Sequence, residues 1–297
     1  MSPHREESVI VYDVGGSHVS AAVCFTDGYR LGPVVTGHHK DCHSADDFVN
    51  LLYTVGAQAA ADVAGVSGAE LAMPGPFDYE EGISQMRHKL PYLYGFDLRQ
   101  ALAQRFSWQP CQVRFLNDAD AYLLGEIGTG AAHGFSRAVG ITLGTGVGSA
   151  FAVDGHLVTS GPGVPPGGEI WNLPYEGGIV EDLISTRAIQ GGYLQRTGQQ
   201  CDVATIAARA SSDPAAASVF SGFGHNLGKA LRVVTSGFAP NVVVLGGGIS
   251  RSSHLFLADA ERELQSLNLQ LRISALHDKA ALVGAGVAWL LNSNHSS

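Results

Sequence analysis

The chain opens with an apolar run, "SVIVY", which breaks at "DVGGS" and resumes as "HVSAAVCF", where apolar and polar positions follow a period of two. That pattern predicts two strands joined by a tight Gly-Gly turn. Helical spacing follows from about Asp46 to Val63, with Ser44 or Asp46 placed to cap it. A strand-like "ELAMPG", a glycine- and aromatic-rich connection through "GISQMRHKLPYLYGF", a helix "DLRQALAQRF" behind the cap Asp97, and a strand "CQVRFL" complete the first half.

The second half starts the same way. "RAVGITLGTGVGSAFAVDGHLV" is again strand, glycine turn and strand, and Asp13-Val14-Gly15-Gly16 lies on Thr142-Leu143-Gly144-Thr145. Two equivalent hairpins, each opening an α/β unit, predict a duplicated α/β fold of two similar lobes with a cleft between them. Beyond the second hairpin the pattern predicts a Pro/Gly loop, a helix from about Val180 to Arg196, another from about Ala215 to Gly237, the strand "NVVVLGGG" and a closing helix from about Ala280 to Leu291.

Composition narrows the function classes. With 45% hydrophobic and 15% charged residues over 297 positions, the chain is globular. A net charge of -9 with only 18 Lys and Arg argues against a nucleic-acid surface, which needs clustered cations. The longest late apolar run, "AALVGAGVAWLL", is too short for a bilayer and no apolar leader precedes the first strand, so no membrane partner is expected. Cys24, Cys42, Cys111 and Cys201 are far apart and form neither a disulfide framework nor a thiolate zinc motif, which fits the cytoplasm. The cluster "GHHKDCHSADD", with His38, His39, Cys42, His43 and Asp46, reads as a solvated loop ahead of a helix cap rather than a metal site.

Three glycine loops carry candidate chemistry: "DVGGS" at 13–17, "LGTGVGS" at 143–149 and "LGGGIS" at 245–250. Glycine lets backbone amides approach a phosphate that a Cβ would hold away. None is followed by Gly-Lys-Ser/Thr, and the first two lead into strands, so neither a P-loop nor a dinucleotide fingerprint is present. Taken singly, each is as well explained as an ordinary turn. The stretch "FLNDADAYLLGE" adds two polar residues, Asn117 and Asp118, between a strand and a helix, where capping requires only one.

In order and spacing, "DVGGS", "MPGP", "LNDADAYLLGE", "LGTGVGSAFAVDG", "GGEI" and "PNVVVLGGGIS" resemble the ROK family of sugar kinases and sugar-responsive repressors, within the actin, Hsp70 and hexokinase superfamily, over about Val9 to Leu290. The resemblance implies an actin-like fold whose first lobe, residues 1–117, is joined by the closing helix at about 280–297, with 118–279 as the second lobe. It implies ATP-dependent phosphorylation of a hexose by a cytoplasmic homodimer, with ATP and Mg²⁺ as cofactors and a sugar and a nucleotide as partners. By the same resemblance Asp13, Gly15, Gly16 and Ser17 form the first phosphate loop, Asp13 also holding Mg²⁺ through water. Gly144, Thr145 and Gly146 cradle the donor's phosphates, and Gly246, Gly247 and Gly248 lie against adenosine. Asn117, Asp118, Glu169 and Glu181 meet the sugar, Asp118 as the catalytic base.

The departures are specific. Relatives commonly have a histidine three residues after the glutamate matching Glu169, then three cysteines that complete a zinc site; here Asn172 takes the histidine's place and "PYEGGIVED" holds no cysteine. No zinc is therefore expected, and packing of Trp171 and Tyr175 is expected to hold the loop instead. Asn172 keeps the hydrogen-bonding capacity for a sugar contact. Glucose-like hexoses, N-acetylhexosamines and polyphosphate as donor all remain open, as does an inactive sugar sensor. A repressor is disfavoured because Asp13 lies too near the start for a preceding DNA-binding motif.

Overall fold

The first hairpin forms as its pattern requires. In a computed structural model, which describes residues 7–293, β1 (Ser8–Val14) pairs antiparallel with β2 (His18–Phe25) in register from Ser8 opposite Phe25 to Val14 opposite Val19. Short strands β3 (Arg30–Leu31) and β4 (Val35–His38) add to β2. Helix α1 (Ala45–Ala59) starts at Ser44, whose hydroxyl accepts from the Asp47 amide while the Asp47 carboxylate accepts from the Ser44 amide. That reciprocal box decides between the two candidate caps. Next come β5 (Ala69–Met73), the small ribbon β6 (Phe77–Asp78) and β7 (Ile83–Ser84), α2 (Leu98–Phe106) behind its cap Asp97, β8 (Val113–Asn117) and α3 (Asp118–Gly128).

The second hairpin repeats the plan. Strand β9 (Arg137–Leu143) pairs antiparallel with β10 (Val147–Val153), which β11 (His156–Leu157) extends. A ribbon of β12 (Pro174–Tyr175) and β13 (Gly178–Ile179) precedes α4 (Val180–Leu183), α5 (Thr186–Thr197), α6 (Val203–Arg209), α7 (Pro214–Thr235), β14 (Val242–Gly246), α8 (Leu257–Leu264) and β15 (Gln270–Ile273). The chain closes with α9 (Ala280–Ser293).

Sheet orders show the duplication directly. The first sheet runs β3-β2-β1-β5-β8 and the second β11-β10-β9-β14-β15. In each, an antiparallel hairpin is continued by two parallel strands. Asp13 lies opposite Ala72 of β5 and Thr142 opposite Gly246 of β14, so register places Asp13 and Thr142 at equivalent positions. Parallel strands are buried on both faces, which is why β5 and β14 are buried at every position and apolar except for Glu70.

The chain divides into a unit of Met1–Thr129 with Lys279–Ser297 and a unit of Gly130–Asp278. Helix α3 lies in the first of these units. The reason is packing: a Cβ on Gly284 of α9 would overlap the Ala121 carbonyl of α3, and one on Gly125 would overlap the Ala280 carbonyl. Two glycines let these helices touch backbone to backbone, and α3 stays with α9. Arg114 adds a donor to the Trp289 carbonyl at 3.3 Å, with its guanidinium 4.2 Å from the Trp289 ring centroid. In the second unit α7 supplies Phe220, Phe223, Leu227 and Leu231 to the core over the sheet.

The helix expected over 180–196 is two helices. Ile184 and Ser185 leave helical geometry, and the Thr186 amide donates to the Gly144 carbonyl at 2.8 Å. The break spends a helix-starting amide on a glycine loop.

Candidate active site

In the first unit the candidates gather at the carboxyl edge of three parallel strands, where ligands of open α/β sheets bind. Asp13 is the last residue of β1 paired with β5 and Asn117 ends β8, with β5 between them; Asn117 lies opposite Met73. Asp13 is partly exposed, and Gly16 and Ser17 are exposed. The turn is closed by the Gly15 amide donating to the His18 carbonyl at 2.9 Å. A Cβ on Gly16 would meet nothing within 4 Å, so the turn is open at that position.

Asn117 and Asp118 divide their work. Asn117 has extended geometry (φ -66°, ψ 146°), and its Oδ1 accepts from the Ala119 and Asp120 amides at 2.9 and 3.4 Å, so Asn117 is the cap of α3. Its Nδ2 donates to the Tyr79 hydroxyl at 2.9 Å, and that hydroxyl donates to the Met73 carbonyl at 3.2 Å. One amide hydrogen of Asn117 is left for a ligand. Asp118 is the first residue of the helix, and its Oδ1 accepts from the adjacent Ala119 amide at 3.0 Å. Burial pushes the Asp118 carboxyl above the ordinary carboxylate range, against the opposing charge of Lys89 and the amides of Ala119 and Asp118 itself. Asp120 is pushed up to about 7 by burial and then by the charge of Asp118. Two carboxylates with raised affinity for protons therefore share the first turn of α3.

In the second unit the remaining candidates gather at the equivalent edge. Gly144, Thr145 and Gly146 follow β9, and Gly246 ends β14 opposite Thr142. The Gly144 amide donates to the Gly146 carbonyl at 3.0 Å, and Thr145 and Gly146 are exposed. Glu181 grips this loop: Oε2 accepts from the Val147 amide at 3.1 Å, while Oε1 lies 3.3 Å from the Arg187 guanidinium. Gly247 (φ 79°) is required by its neighbour, since a Cβ there would overlap the backbone of Leu143. Gly248 has open space around it.

The sequence matches the ROK family over residues 9–292. The chain belongs to the ROK family. A glucokinase of Thermotoga maritima is 28% identical over 272 residues, 83% of this chain and 84% of the relative. An N-acetyl-D-glucosamine kinase of Pectobacterium atrosepticum is 25% identical, over 71% of this chain and 74% of that one. Among solved structures, the ROK hexokinase of Thermus thermophilus superposes with a TM-score of 0.80 at 25% identity, covering 97% of this chain and 99% of that one. The fold is thus the actin-like α/β fold of the ROK sugar kinases.

Against this family background three supporting residues stand out that pattern reading did not single out for support. His39 is not in a solvated position: it is buried, its Nε2 lies 3.0 Å from the Gly15 carbonyl, its amide donates to the Ser17 carbonyl at 3.3 Å, and its ring meets the Phe48 ring edge-on. Tyr79 holds Asn117 as described. Ser149 donates to the Gly168 carbonyl at 2.6 Å and accepts from the Ile170 amide at 3.0 Å, bracketing Glu169. No local signal marked any of them, because each acts across a distance in sequence.

The loop after Glu169 is also built differently from expectation. Tyr175 packs partly on the second core, but Trp171 is exposed, and its indole N–H donates to Glu169 Oε2 at 3.0 Å. Trp171 does not hold the loop by packing; the loop is held by backbone bonds from Leu173 to Ile170, Val180 to Leu173 and Glu181 to Trp171. Asn172 is exposed beside them. Among the described residues no three His, Cys, Asp or Glu side chains gather as metal ligands, and no helix is long and apolar enough to cross a membrane.

Proposed function

We propose that this ROK-family sugar kinase transfers the γ-phosphoryl group of ATP to a hydroxyl of a glucose-like hexose, with Asp118 as the general base. The observation that carries the reading is the division at the start of α3. Asn117 is the cap of the helix, and Asp118 is a carboxylate with raised proton affinity at the carboxyl edge of the sheet. A carboxylate whose proton affinity is raised above the ordinary range accepts a proton more readily, and the attacking hydroxyl must lose its proton as the new bond forms.

The other residues take the roles their positions support. Asn117 offers its remaining amide hydrogen to a neighbouring sugar hydroxyl, and Glu169, Asn172 and Glu181 accept or donate to others. Gly15, Gly16 and Ser17 present one exposed backbone turn to phosphate oxygens; Gly144, Thr145 and Gly146 present the second, and Gly246 to Gly248 border the adenosine. Asp13 would hold Mg²⁺ through water, beside the turn that is open at Gly16. When bound, the ion neutralises charge on the transferring group. A cytoplasmic homodimer belongs to the same reading.

The test is a coupled assay with glucose, mannose, fructose, allose, N-acetylglucosamine and N-acetylmannosamine, each offered with ATP and with polyphosphate. Formation of ADP that depends on one of these sugars is expected. Turnover with polyphosphate alone moves the donor assignment, and sugar binding without turnover on either donor makes the chain a sensor.

A further inference from the structure

The protein has three tryptophans, and two of them are accounted for by packing. Trp108 stacks on Phe106 with ring centroids 4.3 Å apart. Trp289 is 3% exposed and donates its indole hydrogen to Glu7 at 2.8 Å. Trp171 is 39% exposed. It nevertheless does not move freely, because its N–H is held by Glu169 Oε2 at 3.0 Å and its carbonyl accepts the Glu181 amide at 3.0 Å. One residue thus touches both glutamates that the proposed function assigns to sugar hydroxyls, and it leaves an aromatic face in solvent beside them.

That arrangement matches one ligand chemistry. A pyranose with equatorial hydroxyls presents hydrogen-bond donors around its rim and a continuous apolar C–H face. Carboxylates accept from the rim. An aromatic face, electron-rich at its centre, attracts the C–H hydrogens and removes apolar area from water. A ring already pinned by a hydrogen bond loses little freedom when a ligand covers it. A nucleotide base also stacks on indole, and the ATP KM tells the two ligands apart.

We propose that Trp171 is a specificity-determining residue of the sugar site, stacking its indole face on the C–H face of a pyranose while Glu169 and Glu181 hold the hydroxyls. This rests on the sugar-kinase reading and deepens it from a hexose to a pyranose bound by face and rim together. Open-chain and furanose forms lack the continuous C–H face and are bound less well.

The experiment uses the full chain with Trp171→Ala and Trp171→Phe. Sugar KM, ATP KM and kcat are measured with glucose and N-acetylglucosamine, and tryptophan fluorescence is followed as each sugar is added without donor. Trp171→Ala is expected to raise the sugar KM by about tenfold or more, the loss that uncovering an aromatic face produces. ATP KM and the thermal midpoint stay unchanged, Trp171→Phe retains most of the affinity, and the wild-type fluorescence response to sugar vanishes in both variants. A sugar KM within about twofold of wild type in Trp171→Ala overturns the proposal. So does a rise confined to ATP KM, which would assign the face to a base. A Trp171→Phe variant as weak as Trp171→Ala also overturns it, since the N–H bond to Glu169 would then be what matters. Failure of the kinase reading is separate: fluorescence titration decides on Trp171 even if no sugar is turned over, and a wild-type chain whose fluorescence no sugar changes sinks the stacking.

Discussion

The two units share one strand plan, yet the carboxylates that burial pushes towards protonation lie in the first, where Asp47, held down by the His43 amide and Ser44, is the exception. In the first, burial pushes Glu70 up to about 8 against the charges of Arg114 and Arg99, raises Asp118, and with the charge of Asp118 pushes Asp120 up to about 7. In the second, the perturbed carboxylates all move down: Asp202 by the Thr205 amide, and Asp213 by the Tyr193 hydroxyl. Burial raises Asp259, but Ser221, Arg262 and His225 outweigh it. Hydrogen-bonded carboxylates stay ionised and bind; dehydrated ones take up protons. Duplication supplied the same sheet twice, and the dry acids lie in the first copy.

The hardest test of that contrast is Asp118→Asn, which removes the proposed base from the first unit and keeps its shape. General-base catalysis contributes about 10²- to 10⁴-fold, so kcat should fall by that range with much less change in sugar affinity. Asn117 makes the cap, so a folding defect is not expected. Turnover near the wild-type rate would end the catalytic assignment and with it the reason for the contrast.

Glu70→Gln asks whether the dry acids of the first unit carry a stability cost. Glu70 is fully buried on β5, and neither carboxyl oxygen has a hydrogen-bond partner. Its folded proton affinity, about 8, exceeds the ordinary value of 4.5. The folded state therefore holds a proton that the unfolded chain releases, and Glu70 erodes stability as pH rises from about 4.5 to about 8. Glutamine has no such dependence. Denaturant unfolding should show the variant equal to wild type at pH 4 and more stable by about 3–5 kcal/mol above pH 8. A gap that does not change with pH would mean that Glu70 is solvated or paired.

Much of this was legible from sequence, and the parts that were not share a cause. Apolar runs against glycine turns located both hairpins, and their alignment of Asp13 with Thr142 is the register of the sheets. The pair Asn117-Asp118 was recognisable as one residue too many for a cap, but either side chain can cap, and only the backbone angles show that Asn117 does. Val180, Ile184, Ile189 and Tyr193 keep an apolar pattern along 180–196, so the break at Ser185 was invisible; it is set by a bond to Gly144, 42 residues upstream of Thr186. His39 sits among polar neighbours, and its burial follows from β4 pairing on β2, with His38 opposite His18. Trp171 was expected to pack because a loop without cysteines needs support, and backbone bonds supply that support.

The glycine turns sharpen the comparison further. The second is propped by a carboxylate: Glu181 Oε2 accepts the Val147 amide, and a Cβ on Gly146 would come within 2.8 Å of that oxygen. Gly146→Val would displace Glu181 and cover the exposed amides that are assigned to the donor's phosphates. The ATP KM should rise by at least about tenfold, as expected for losing one or two charge-assisted hydrogen bonds. Wild-type donor kinetics in a folded variant would show that this turn is only a hairpin connection.

The first turn is propped instead by a ring donor. With the Gly15 carbonyl as acceptor, His39 Nε2 carries the hydrogen. His39→Phe keeps an aromatic against Phe48 but leaves the Gly15 carbonyl without its donor, a loss of about 0.5–1.5 kcal/mol that corresponds to roughly two- to tenfold in kcat/KM for the phosphoryl donor. His39→Gln places an amide near the position of Nε2 and should recover most of that loss. If both variants match wild type, the loop keeps its shape without a prop and the two turns differ only in sequence. If both fail equally, ring packing on Phe48 is what His39 supplies, and the hydrogen bond to Gly15 is incidental.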